Sequence, residues 1–191
     1  MSTATPYLFT SQRLGFRNWT GTDIPAMAAI NADPEVMRFF PATQSLEQTI
    51  GFVQRMQAQL AVKGYCYFAA DELATGSFIG FIGLSEQTFP AGFNPCTDIG
   101  WRLAKAAWGK GYATEGAQRC LAYGFEHINL QQVYAMAPAV NLPSVSVMKK
   151  AGMQYVQDFK HPLLQGNERL EDCVLYRADR FPASRSVPLP V

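Results

Sequence analysis

Between Thr97 and Gln118 the chain reads TDIGWRLAKAAWGKGYATEGAQ, and no other stretch limits the possible folds as much. TDIGWRL reads as a strand, and the pattern after Gly111 is helical as far as His127. Between them Gly109 and Gly111 flank Lys110. A strand that passes through bare backbone straight into a helix leaves the first helical N–H groups without partners, at the positive end of the dipole. Such a unit is an anion site, and phosphate fits it. The glycines let a ligand approach the main chain closely, and Lys110 adds a charge that can screen a diphosphate. The alternative is an ordinary turn, with glycines needed only for positive φ and Lys110 solvated. The stretch matches neither G-x-x-x-x-G-K-[ST] nor G-x-G-x-x-G, which weakens both nucleotide motifs.

The rest of the chain surrounds this unit with strands and helices. RLGFRNW (Arg13–Trp19) is the first strand. YCYFAAD (Tyr65–Asp71), SFIGFIGL (Ser77–Leu84) and TDIGWRL (Thr97–Leu103) follow, then QQVYAMAP (Gln131–Pro138), MQYVQDF and EDCVLYRA. ELATG is a hairpin turn, and the proline-bearing stretch from Glu86 to Cys96 is a loop. Thr22 and Asp23 start a helix that ends at Asn31–Pro34. A second follows Ser45, with Ile50, Val53, Met56 and Leu60 at helical spacing, and Gly64 stops it. Asn141 to Ala151 is a short helix closed by Gly152. The expectation is one mixed α/β domain over residues 1–180, with about seven strands and about four helices, and a loose tail over 181–191.

Hydrophobic residues make up 48% and charged residues 16%, enough to bury one core and too little charge for a disordered chain. Sixteen Lys and Arg against fifteen Asp and Glu give a net charge of +1, with no basic block to attract nucleic acid. Cys66, Cys96, Cys120 and Cys173 form no C-x-x-C pair and no metal-ligand cluster with His127 or His161, so they are expected as buried free thiols. MSTATPYLFT lacks the regions of a signal peptide, and the longest apolar run, FIGFIGL, is far short of the ~20 residues that span a bilayer. A cytoplasmic protein is expected, a monomer or homodimer, with no membrane, nucleic-acid or metal partner.

In their order along the chain, RLGFRNWTGTDIPAM, NADPEVMRF, GFIGL, DIGWRLAKAAWGKGYATEGAQ, NLPSVSVMKKAGM and the late HPLLQGN and DCVLYR resemble the GNAT superfamily of acetyl-CoA-dependent N-acetyltransferases. The likeness covers almost the whole chain, in a branch resembling the RimJ/RimL ribosomal-protein acetyltransferases. It implies the GNAT fold, a mostly antiparallel sheet splayed between its fourth and fifth strands, and acetyl-CoA as co-substrate. The superfamily's loop Q/R-x-x-G-x-G/A falls on Trp108, Gly109, Lys110, Gly111, Tyr112 and Ala113, with Trp108 departing from Gln or Arg. Amides from Gly109 to Thr114 would bind the diphosphate. The pantetheine arm would lie along the backbone of Ile99, Trp101 and Leu103. An N–H near Ile99 to Trp101 would polarise the acetyl carbonyl, a contribution of ~3 kcal/mol or more as negative charge develops on it.

The resemblance also implies roles for Asn141 and Ser144. The asparagine would contact the pantetheine or its surrounding backbone, and the serine would act as acid toward the departing thiolate. Both residues equally suit a helix cap. Some members of the branch carry a glutamate base where this chain has Pro162, a departure. His161 and Asp98 are the candidates instead, and Asp98 could also anchor a cationic amine; either residue could also be purely structural. An α-amino group of pKa ~8 is ~10% neutral at pH 7, whereas a lysine amine at ~10.4 is not, so the acceptor decides how much base is needed. Met37, Phe39, Phe40, Phe93 and Tyr112 are expected in the acceptor wall or in the core. The function expected is acetyl transfer to a primary amine, on a peptide N-terminus or a small molecule. The alternative is a coenzyme A-binding regulatory module without turnover. A kinase-like protein is disfavoured, because no Mg²⁺-holding residues follow the glycine loop.

Overall fold

The structure is a computed structural model that describes residues 6–181. One eight-stranded sheet runs in the order β1-β2-β3-β4-β5-β6-β8-β7. Its strands are β1 Phe9–Thr10, β2 Leu14–Arg17, β3 Tyr67–Glu72, β4 Ser77–Gln87, β5 Cys96–Leu103, β6 Gln132–Pro138, β7 Gln154–Lys160 and β8 Asp172–Asp179. Four helices accompany it, α1 Ile24–Ala32, α2 Leu46–Lys63, α3 Tyr112–Glu126 and α4 Leu142–Lys150. The mixed α/β architecture, mostly antiparallel with one parallel pair, matches the expected fold. The strand count differs by one. β1 holds only two residues, paired at Phe9↔Phe16 and Thr10↔Gly15, too short for any alternation to show. The long loop is also shorter than expected, because β4 continues to Gln87 and β5 begins at Cys96. Of the expected tail, all beyond Phe181 lies outside the described residues.

Helix ends follow from local chemistry. Ser45 accepts from the Gln48 amide while the Gln48 side chain returns to the Ser45 N–H, and Gly64 ends the same helix at φ 76°. The sheet then divides the apolar residues between two layers. Ile82 and Leu84 of β4 lie opposite Trp101 and Ile99 of β5, and all four share the face that packs on α3. A Cβ at Gly116 would stand 2.3 Å from Ile82 Cδ1, so the absence of a side chain lets α3 settle this close to the sheet. On the other face Tyr67 and Phe52 pack against the Phe81 ring at 5.0 and 5.2 Å, and Trp19 donates its indole N–H to the Tyr67 carbonyl at 2.6 Å. All four cysteines are buried free thiols.

The sheet's continuity fails at one junction. β5 is bonded to β4 along its whole length and β6 to β8 along its whole length, yet β5 and β6 meet only at Asp98↔Tyr134. Being parallel, the two strands then separate toward Leu103 and Pro138.

Candidate functional site

A cleft of about 480 Å³ opens beside that separation. Trp101, Arg102 and Leu103 of β5 form one wall. The loop before α3 and its first turn form the floor, Asn141 and Ser144 of α4 the far side, and Phe39 and Phe40 from the α1–α2 connection the remaining rim.

The floor is the glycine loop. Gly109 has φ 72° and Gly111 φ 82°, values that an L side chain rarely adopts, and a Cβ at Gly109 would meet nothing within 4 Å. Conformation rather than crowding therefore requires glycine at Gly109, and the space before it is open. No side chain caps α3. The consecutive amides of residues 109–114 find no acceptor among the described residues, whereas Glu115, next along, bonds to the Gly111 carbonyl. Uncapped donors at a helix start attract an anion, and an acyl carrier with a diphosphate supplies one.

The wall offers main chain of a different kind. Ala104 donates to Ile79, which sets the parity of the β4–β5 ladder so that Asp98, Gly100 and Arg102 bond to β4. Trp101 and Leu103 consequently aim their N–H and C=O groups into the gap. The Leu103 carbonyl is already taken by the Trp108 indole N–H at 2.9 Å, which agrees with that parity. Trp108 thus gains a role at the position where the superfamily has Gln or Arg.

On the far side Asn141 is the N-cap of α4, its side-chain oxygen accepting from the Ser144 amide at 3.2 Å. Ser144 uses its main chain in that cap, so its hydroxyl is left to the cleft it lines. Capping and cofactor contact are compatible here.

Of the expected residues the cleft gathers Trp101, Leu103, Trp108, Gly109, Gly111, Tyr112, Ala113, Thr114, Asn141 and Ser144. Ile99 is buried on the α3 face, and the Lys110 ammonium lies 3.8 Å from the Glu72 carboxylate, which also accepts the Tyr112 hydroxyl. Neither residue lines the cleft. His161 does not line it either. Its Nδ1 accepts from the Leu163 amide at 3.2 Å, its ring lies 4.4 Å from Phe89 and 5.8 Å from Phe159, and burial lowers its pKa, favouring the neutral imidazole. Phe93 belongs to this same aromatic group, and Met37 is buried, while Phe39, Phe40 and Tyr112 line the cleft.

Asp98 does not line the cleft either; it is buried on β5 beside the one β5–β6 contact. Its Oδ1 accepts from the Tyr67 hydroxyl at 2.7 Å and the Gln87 amide at 3.0 Å. Burial pushes its pKa up to about 6 even though those two hydrogen bonds pull it down. The Tyr67 hydroxyl also covers Gly100, where an added Cβ would come within 3.2 Å of it. Tyr67, Gln87 and Arg102 escaped the sequence reading. One signal could have found part of this set: in DIGWR every second residue, Asp98, Gly100 and Arg102, shares a strand face.

Comparison with known proteins agrees with this geometry. Residues 13–154 match the family described as the acetyltransferase (GNAT) domain. The uncharacterized N-acetyltransferase YnaD of Bacillus subtilis is 31% identical over 160 residues, 83% of this chain and 89% of that one. A GNAT-family acetyltransferase crystal structure from Bacillus anthracis superimposes with a TM-score of 0.75 at 27% identity, covering 90% of this chain and 97% of that one. The spermidine N-acetyltransferase of Vibrio cholerae, solved with CoA and spermine, shares the fold with a TM-score of 0.69 at 18% identity, over 88% and 96% of the chains. The parted strands, the uncapped helix start and the family match lead to one conclusion: the chain belongs to the GNAT acetyltransferase family and is an acetyl-CoA-dependent N-acetyltransferase.

Proposed function

We propose that this protein, a RimJ/RimL-like member of the family, moves acetyl to a primary amine on a small molecule or a peptide N-terminus by direct attack. The row of unpaired amides from Gly109 to Thr114, ending at the gap between β5 and β6, carries the reading. The sequence NLPS at the start of α4, with its open Ser144 hydroxyl, favours the branch.

Acetyl-CoA, when bound, supplies an acetyl group already activated as a thioester. The amides of residues 109–114 hold its diphosphate, with Lys110 screening the charge from behind, and the free main chain of Trp101 together with the Leu103 N–H aligns the arm toward Ile99. An N–H of β5 facing the gap polarises the acetyl oxygen. Fixing amine and acetyl group in line provides much of the remaining acceleration. Asp98 receives the proton lost by the amine, by way of the Tyr67 hydroxyl that bonds it; a carboxylate of pKa about 6 is ionised at pH 7 yet basic enough to share that proton. Ser144 delivers a proton to the departing sulfur.

Coenzyme A release measured with a panel of amines, beside acetyl-CoA titration by calorimetry, tests the proposal. Binding with turnover supports it. Binding with no turnover on any amine favours the regulatory module instead, and no binding at millimolar acetyl-CoA ends both readings.

A further inference from the structure

The cleft is one-sided in charge. Arg38, Arg102 and Lys150 line it, and no Asp or Glu does. Arg102 is the unusual member. Its Nη1 donates to Asn31 Oδ1 at 2.5 Å and lies 3.4 Å from Gln44 Oε1, and its guanidinium stands over Phe40 at 4.3 Å and Phe81 at 5.5 Å. Its Nε is sealed from solvent with no hydrogen-bond partner. Nη2 has no acceptor, and no carboxylate forms an ion pair with Arg102, among the described residues. Burial accordingly lowers its pKa to about 10.

The same molecule shows how it treats an arginine that serves structure alone. Arg17 is 14% exposed and meets two carboxylates, Asp23 at 2.7 Å and Asp71 at 2.7 Å, through all three nitrogens. A half-buried guanidinium normally has such partners, because a desolvated charge without a counterion is unfavourable. Arg102 has two neutral amide oxygens and two ring faces. Its missing counterion is the observation that needs an owner.

The cofactor's diphosphate already has one, the amides before α3. Arg102 also lies on the opposite face of β5 from α3, with Asp98 and Gly100, the face covered by α1 and α2. Resting on the acetyl-transfer reading, we propose that the acceptor amine carries an anionic group, a carboxylate, and that Arg102 is the specificity residue that receives it. Nη1 is held by Asn31, and Asn31 in turn donates to Thr49 at 2.9 Å, so the guanidinium is fixed before the acceptor arrives. Its planar fork matches a carboxylate. A strand rises ~3.3 Å per residue, which puts Arg102 ~7 Å along β5 from Gly100, so amine and carboxylate are separated by several bonds. A polycation such as spermidine would instead meet a field of its own sign.

Coenzyme A release is measured with pairs in which the amide member has no carboxylate left: 4-aminobutanoate with 4-aminobutanamide, and the C-terminally amidated dipeptide Ala-Glu with amidated Ala-Gln. Spermidine forms a third arm. The acid member should show kcat/KM at least about tenfold above its amide, the scale of one charge-assisted contact. Arg102→Gln should bring that ratio to about one while acetyl-CoA affinity by calorimetry stays within about twofold. Equal turnover of acid and amide by the natural protein, or preference for spermidine, overturns the assignment. So does an Arg102→Gln variant that keeps the ratio but loses acetyl-CoA affinity, because the guanidinium would then serve the cofactor. Should that variant not fold, the natural protein's own ratio decides. Absence of coenzyme A release with every amine counts against the transfer reading itself and removes the basis of this one.

Discussion

The two sides of β5 recognise ligands by different means. Toward the gap, Trp101 and Leu103 offer main-chain groups, joined by the bare amides of residues 109–114. Toward α1 and α2, the same strand offers side chains: Asp98 held by Tyr67 and Gln87, and Arg102 held by Asn31. Main-chain recognition tolerates almost any side chain but demands a particular backbone. Side-chain recognition tolerates backbone variation but depends on partners brought from distant parts of the sequence. A shared cofactor suits the first side, and an acceptor peculiar to one enzyme suits the second.

Breaking the backbone side should have the largest effect. Gly111→Pro fixes φ near −65° where 82° is required, so acetyl-CoA binding should vanish in calorimetry while the fold survives by circular dichroism. Comparable affinity in the variant would sink the anion-site reading. Next in size is Asp98→Asn, expected to lower kcat by about 100-fold at pH 7. The natural enzyme's rate should climb with pH through about 6 as the carboxyl ionises, and the variant's profile should lose that acidic limb. Stability gives an opposite sign. With the folded carboxyl raised to about 6 against ~3.9 when unfolded, the folded state keeps its proton longer. Stability from this group is therefore fully present below ~3.9 and lost as pH rises through about 6, a decline that thermal melts of Asp98→Asn should lack.

Two neighbouring substitutions then sharpen the contrast within α4. Ser144→Ala keeps the amide that Asn141 caps, so turnover should fall about tenfold with cofactor affinity and melting temperature unchanged. Asn141→Ala removes the cap, worth ~1 kcal/mol, and should lower the melting temperature by about 2–4 °C. If Ser144→Ala leaves turnover intact, its acid role fails. The smallest effect is expected at His161→Ala, which does not line the cleft, with kcat/KM changing by less than about threefold. A larger drop would bring that imidazole back into the chemistry.

What could be read from the sequence divides along the same line. The glycine pair, the helix stop at Gly64, the NLPS start of α4 and the parity of Ile99, Trp101 and Leu103 are local patterns, and each element they announce stands where expected. Ile99 still fails to reach the cleft, because it adjoins the one β5–β6 rung at Asp98↔Tyr134, where the two strands have not yet parted. The partners of Asp98 and Arg102 were illegible for a different reason. Tyr67 and Asn31 are 31 and 71 positions away from them, and only the pairing of β3 with β4 and of β4 with β5, and the packing of α1 against the sheet, bring them together. Lys110 shows a third kind of gap: its position before the helix was right, yet Glu72 at the end of β3 competes for its charge.

The solitary β5–β6 bridge has a mechanical consequence. Five strands on one side and three on the other are stitched by a single rung, so a ligand laid along the open edges of β5 and β6 acts as the missing rungs of the ladder. Saturating acetyl-CoA should then do more than occupy a groove. By mass action it adds ~2.7 kcal/mol at a hundred times its Kd, and hydrogen exchange at Trp101 and Leu103 should slow as the two halves of the sheet become one.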